Sequence, residues 1–170
     1  MGIPNGYTSG QVVQAVPIPA GVVQVVSADK LDVFTTASAS YVDVTGWTAT
    51  ITPSATTSKI LVLYSATTSA NGGTYTGFQI VRTSTAVGNG TASGSRIAAN
   101  KGLYNNPASG GDSIFGSFLD SPSTTSATTY KIQVKNHTTN TLTVGATFTN
   151  ADNAATYSTL TNITLMEVLA

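Results

Sequence analysis

The run Thr128-Thr129-Tyr130-Lys131-Ile132-Gln133-Val134-Lys135-Asn136 decides the fold class. Tyr130, Ile132 and Val134 alternate with Lys131, Gln133 and Lys135. A period of two puts one set inside and the other in water, as on a half-buried strand. Asn136 to Asn140 reads as a turn and Leu142 to Phe148 as the returning strand. Beyond the Asn150 to Ala155 loop, Ser158 to Val168 closes the chain as another strand. Upstream, Ser113 to Leu119 is strand and Asp120 to Ala127 loop. Trp47, Ala49 and Ile51 alternate with Thr48, Thr50 and Thr52, and Pro53 to Ser58 breaks the pattern. Lys59 to Ser65 is apolar on both faces and is expected to be a central strand. Asn71-Gly72-Gly73 turns the chain into Tyr75 to Thr83, and Val87-Gly88-Asn89-Gly90 carries a hairpin signal. A weaker strand is expected near Ser95 to Ala99, then a loop with Tyr104-Asn105-Asn106-Pro107 and Gly110-Gly111. Val22 to Ser27 and Leu31 to Thr35 flank an Ala28-Asp29-Lys30 turn. About nine or ten short strands and no helix make an all-β sandwich.

Composition points the same way. Of 170 residues only 8% are charged, against about 25% in an average soluble domain. Polarity comes instead from about 48 Thr and Ser residues, and Thr suits a strand because its branched Cβ fits the pleated surface. Seven basic and seven acidic residues cancel, so nothing provides the clustered cationic footprint that nucleic acid needs. No apolar run is long enough to insert in a membrane, and no Cys is present to form a disulfide or ligate a metal. A surface with so little charge lacks the usual protection against self-association, so either neighbours are expected to cover much of it or it presents a hydroxyl-rich face by design.

Residues 1–20 read as an extended arm, and residues 21–170 as the folded domain. Pro4, Pro17 and Pro19 with Gly2, Gly6 and Gly10 punctuate the arm too heavily for a packed element. It nevertheless carries Ile3, Tyr7, Val12, Val13, Val16 and Ile18. It therefore either lies along its own domain or orders against a partner. No basic stretch precedes its valines, so it does not read as a secretory signal. Gly6 stands where myristoylation needs Ser or Thr.

Chemistry-bearing residues are sparse. His137 is the single histidine and sits in an expected turn, which excludes a two-histidine metal site and leaves a Ser-His-Asp site only this one candidate. Asp112 and Asp120 flank one strand and are the best carboxylate pair for glycoside hydrolysis, but both stand in ordinary turn contexts. Asp152 and Asn153 lack the dense oxygen-ligand spacing of a calcium loop, and Gly72-Gly73 and Gly110-Gly111 are not phosphate loops. Asn89, Asn136 and Asn162 begin glycosylation-type tripeptides expected by chance in a chain this rich in Asn and Thr. Arg82, alone at the end of an apolar strand, is expected on the surface, or else paired with an acid across a subunit boundary. The chain is expected not to be an enzyme and to use no cofactor.

Several segments carry a family resemblance. Trp47 to Pro53 with Ser58 to Tyr64, Gly77 to Arg82 leading to Ala86 to Gly88, Phe118 to Pro122 with Thr128 to Val134, and Ile163 to Val168 follow one another. In that order they resemble short jelly-roll proteins of tailed bacteriophages, cyanophages especially, with a complement-C1q and tumour-necrosis-factor-like fold. The resemblance covers about Thr45 to Val168 and carries over no catalytic residue. It implies an antiparallel jelly-roll β-sandwich that forms a homotrimer in the virion, as a fibre tip, head fibre or capsid cement. On that basis the trimer interface is expected at Leu61, Leu63, Tyr75, Phe78, Phe115 and Phe118. The arm would dock on the major capsid protein, or another virion protein, through Ile3, Pro4, Tyr7, Val12, Val13, Val16 and Ile18. The alternative is a tail-fibre or spike tip that recognises a host-surface glycan, for which Tyr104 to Pro107 offers suitable side chains. A bacterial surface adhesin and a capsule depolymerase follow at a distance, for want of an anchor and of placed acid–base groups.

Overall fold

The computed structural model describes residues 21–106 and 110–169. The expected arm, residues 1–20, lies outside the described residues. Eleven strands run through the described part: β1 Val22–Lys30, β2 Phe34–Thr36, β3 Val42–Ile51, β4 Lys59–Ala70, β5 Thr74–Arg82, β6 Thr85–Val87, β7 Lys101–Asn105, β8 Asp112–Asp120, β9 Thr128–Asn136, β10 Leu142–Val144 and β11 Thr161–Val168. They form two antiparallel sheets packed face to face, the all-β sandwich expected from the alternation. In the first sheet β4 pairs with β8 on one flank and with β11 and β10 on the other, and these continue to β1 and β2. In the second, β3 pairs with β9, β9 with β5, and β5 with both β6 and β7.

Alternation fills the space between the sheets. Ile60, Val62 and Tyr64 of β4, Tyr130, Ile132 and Val134 of β9, and Ile163 and Leu165 of β11 are all buried. Trp47 packs edge-on against Tyr64 at 5.6 Å and donates its indole N–H to Asn162 O at 2.8 Å. Gly116 lies over that same tyrosine: a Cβ there would sit 2.1 Å from the Tyr64 ring. Here a glycine inside a strand marks a close approach.

With few charges available, neutral side chains bond one another within and between the sheets. Thr68 Oγ1 donates to Asn105 Oδ1 at 2.9 Å, and Asn105 Nδ2 donates to Thr76 Oγ1 at 2.9 Å. Thr74 Oγ1 donates to Asn136 Oδ1. Buried polar groups that are paired in this way avoid the desolvation cost of an orphan. The scarcity of Lys and Glu and the wealth of Thr and Asn are thus built into the core.

Two buried carboxylates hold loops and sheets in place. Arg82 was expected on the surface or across a subunit boundary; instead its Nη1 reaches Asp120 of its own chain at 2.8 and 3.0 Å. The Tyr130 hydroxyl donates to the same carboxylate at 2.7 Å. Burial and then the Asp120 carboxylate push the Tyr130 phenol far above its usual range, so it stays a donor. Glu167 Oε1 accepts from Ser54 N at 2.7 Å, Ser54 Oγ at 2.6 Å and Ser58 Oγ at 2.7 Å, which pins the β3–β4 loop. Burial alone would raise this carboxyl, but those hydrogen bonds outweigh it and hold the pKa below the usual 4.5. A depressed folded-state pKa gives stability that is full above the unfolded value and is lost as pH falls through the folded one. Glu167→Gln is expected to destabilise the fold at neutral pH by about 2 kcal/mol. Thermal melts from about pH 6 down to about pH 3 should then fall less steeply for the variant than for the wild type.

Five local expectations change. The returning strand expected over Leu142 to Phe148 ends at Val144, and Phe148–Asn150 forms a short 3-10 turn. The turn of the β5–β6 hairpin is Thr83-Ser84, with Thr83 at φ 56°, uncommon for a β-branched residue; Val87 to Gly90 makes no hairpin. Ser95 to Ala99 holds a single bridge, Ser93 to Arg96, and no strand. Tyr104 and Asn105, expected in a loop, end β7. The Ala28-Asp29-Lys30 turn is instead the end of β1, and β2 starts only at Phe34.

Candidate oligomerisation face

The first sheet turns its other side outward, and its register sets the chemistry of that side. Leu119, Leu61, Met166 and Val25 are successive cross-strand neighbours on β8, β4, β11 and β1. One step along, Lys59, Val168 and Val22 are paired. One step the other way the row is Ser117, Leu63, Thr164 and Ser27, and beyond it Phe115, Ser65, Asn162 and Asp29. An apolar end therefore grades into a hydroxyl-rich end.

Val22 and Val25 are each 55% exposed, Phe115 62% and Leu119 46%. At the other end side chains already bond one another: Asn162 Nδ2 donates to Ser27 Oγ at 2.9 Å and to Asp29 Oδ1 at 2.6 Å, and Thr164 Oγ1 donates to Asn162 Oδ1 at 2.9 Å. Lys59 and Asp29 are the charges in these rows, at opposite ends. Charge depletion at the centre with apolar and hydroxyl contacts around it is how protein–protein interfaces differ from ordinary surface.

Three of the six expected interface residues, Leu61, Leu63 and Phe115, share this face. The other three do not, and strand geometry says why. Phe78 lies three residues from Tyr75, and Phe118 three from Phe115, so each pair points to opposite faces. Phe78 is fully buried between the sheets. Phe118 turns inward as well and packs over Gly88, where a Cβ would come within 2.4 Å of its ring. Tyr75 is exposed, but on the second sheet. Met166, Val25 and Leu119, not among the six, lie on this face as well. Their outward direction follows from alternation with buried Leu165 and Asp120, but their alignment with Leu61 requires the long-range pairing of β11, β1 and β8 with β4. The arm residues Ile3, Pro4, Tyr7, Val12, Val13, Val16 and Ile18 lie outside the described residues.

The candidates for chemistry are spread apart. Asp112 and Asp120 end the same strand, roughly 26 Å apart at about 3.3 Å per residue, and Asp120 is bound up with Arg82 and Tyr130. His137 is exposed, its ring 6.2 Å from that of Tyr75. Asn153 Oδ1 accepts from Ala155 N at 2.9 Å and shapes its own turn. Among the described residues no three His, Asp or Glu side chains converge as a metal site would require. In comparisons with known proteins, no family model and no curated protein matches the chain.

Proposed function

We propose that the protein is a structural component of a virus particle: a capsid decoration, cement or head-fibre protein that trimerises and docks on the capsid through residues 1–20. The observation that carries this reading is the outward face of the first sheet, where Leu61, Leu119, Met166, Val25, Val22 and Val168 meet with almost no charge. Burying such a face against copies of itself suits an obligate assembly, whose interfaces exceed roughly 2,000 Å² in total. The strand order supports the jelly-roll part of the reading. Taking the eight longer or sheet-spanning strands in chain order, β1, β11, β4 and β8 are neighbours in one sheet and β3, β9, β5 and β7 in the other. That order agrees with the alternation expected of two interleaved Greek keys.

Deleting residues 1–20 is expected to leave a soluble trimer that no longer binds capsids of its virus. Capsid binding by the truncated chain would remove the docking part of the proposal. The alternative, a fibre or spike tip that binds a host-surface glycan, draws on a separate feature of the second sheet.

A further inference from the structure

The outer face of the second sheet holds a groove of about 490 Å³. Lys135, Gly77 and Gly102 form one cross-strand row of its floor. In the next row Tyr75 and Tyr104 are paired, with ring centroids 4.9 Å apart, and His137 stands edge-on to Tyr75. Tyr41 closes the other side, its hydroxyl donating to Ala98 O at 2.8 Å, and the Ser95 to Ala99 segment brings Arg96 and Ile97 to the rim.

The bare floor calls for an explanation. Neither Gly77 nor Gly102 has the positive φ that would demand glycine, and both lie inside strands, where glycine is unfavourable. At Gly77 packing accounts for it, because a Cβ would come within 2.9 Å of the Tyr41 hydroxyl. A Cβ on Gly102 would meet nothing nearer than a backbone oxygen at 3.7 Å, so packing does not require glycine there. Glycine in a strand is also found where a ligand approaches the backbone closely.

Charge indicates what approaches. Of seven Lys and Arg residues, Lys30, Arg82 and Lys131 are taken up in ion pairs. Two of the other four, Arg96 and Lys135, border this groove, and none of its lining residues is acidic. Asp43, two residues beyond Tyr41, is already bound to Lys131 and Gln133 at 2.7 Å each. Exposed tyrosine rings beside cations that make no ion pair among the described residues suit a ligand with apolar faces, many hydroxyls and carboxylates. Two cations on a neutral protein are too few for the phosphate tracking of nucleic acid. We infer that this groove binds an acidic saccharide, with the sugar ring over Gly102 beside Tyr75 and its carboxylates on Arg96 and Lys135. The inference gives the glycan-binding alternative a site and a charge requirement. It does not depend on the trimer, which uses the opposite sheet.

Calorimetric titration of the full chain with oligogalacturonate and oligomannuronate tests it, with a neutral malto-oligosaccharide and a thymidine oligonucleotide as comparisons. Binding of at least one uronate oligomer is expected, weakened about ten-fold by Arg96→Ala or Lys135→Ala. Gly102→Leu, which fills the floor, should abolish it while leaving the melting temperature and the oligomeric state unchanged. Binding to neither uronate, equal binding of the neutral oligomer, tighter binding of the oligonucleotide, or indifference to Gly102→Leu would each overturn the inference and leave the assembly proposal standing. Should Gly102→Leu fail to fold, the two cation variants decide alone, and undiminished binding in both overturns it.

Discussion

Leu61→Glu is expected to turn the proposed trimer into a folded monomer. Leu61 points away from the core, between Leu119 and Met166, while its neighbours Ile60 and Val62 hold β4 in the sandwich. The fold of a single chain therefore tolerates the change. In the assembly the new carboxylate would be desolvated among apolar side chains and repeated in every copy. Leaving a buried charge unpaired costs about 3–5 kcal/mol. At about 1.4 kcal/mol per ten-fold, each contact weakens by hundreds- to thousands-fold. Sedimentation should show one chain where the wild type shows three, with the β-sheet circular dichroism spectrum retained. Phe78→Ala separates the two surfaces, because a core truncation costs about 3–5 kcal/mol of fold stability without touching the outer face.

The second large effect belongs to Asp120→Ala. Asp120 is 5% exposed and is the shared acceptor for Arg82 of the second sheet and the buried Tyr130 hydroxyl. Removing it leaves the buried phenol without its acceptor and the partly exposed Arg82 guanidinium without its carboxylate, a loss of about 2–4 kcal/mol. For a domain of this length that corresponds to a melting point lower by roughly 10 °C. Asp120→Asn retains an acceptor for Tyr130 and should fall between the two. If Asp120→Ala melts within about 2 °C of the wild type, the cluster is a surface ion pair of little consequence.

The sequence was most legible where apolar burial alone sets the strand. Tyr130, Ile132 and Val134 alternate with polar neighbours, and all three are fully buried in β9. Legibility failed where hydrogen bonds replace apolar burial. β7 ends in Asn105, at the start of the loop-like run Asn105-Asn106-Pro107, yet Asn105 is 1% exposed and bonded to Thr68 and Thr76. Gly88 misled for a different reason: within Val87-Gly88-Asn89-Gly90 it read as a hairpin signal, and it does take a positive φ of 67°, but its place is under the ring of Phe118. The outward face of the first sheet was half legible. Residue spacing within β5 and β8 already separates Tyr75 from Phe78 and Phe115 from Phe118. No local pattern reveals that Leu61, Met166, Val25 and Leu119 align, because three long-range pairings must form first. The groove was less legible still, since Gly77, Gly102, Lys135 and Arg96 are brought together only by β9, β5, β7 and the segment before β7.

The proposed assembly turns on whether the apolar side of β8, β4, β11 and β1 is closed by further copies of the chain. Equilibrium sedimentation of the intact protein, diluted well below micromolar, measures this directly. A species with three times the 17.3 kDa of one chain is the expected result. A stable 17.3 kDa particle at every concentration would leave that side bare in water and contradict the trimer.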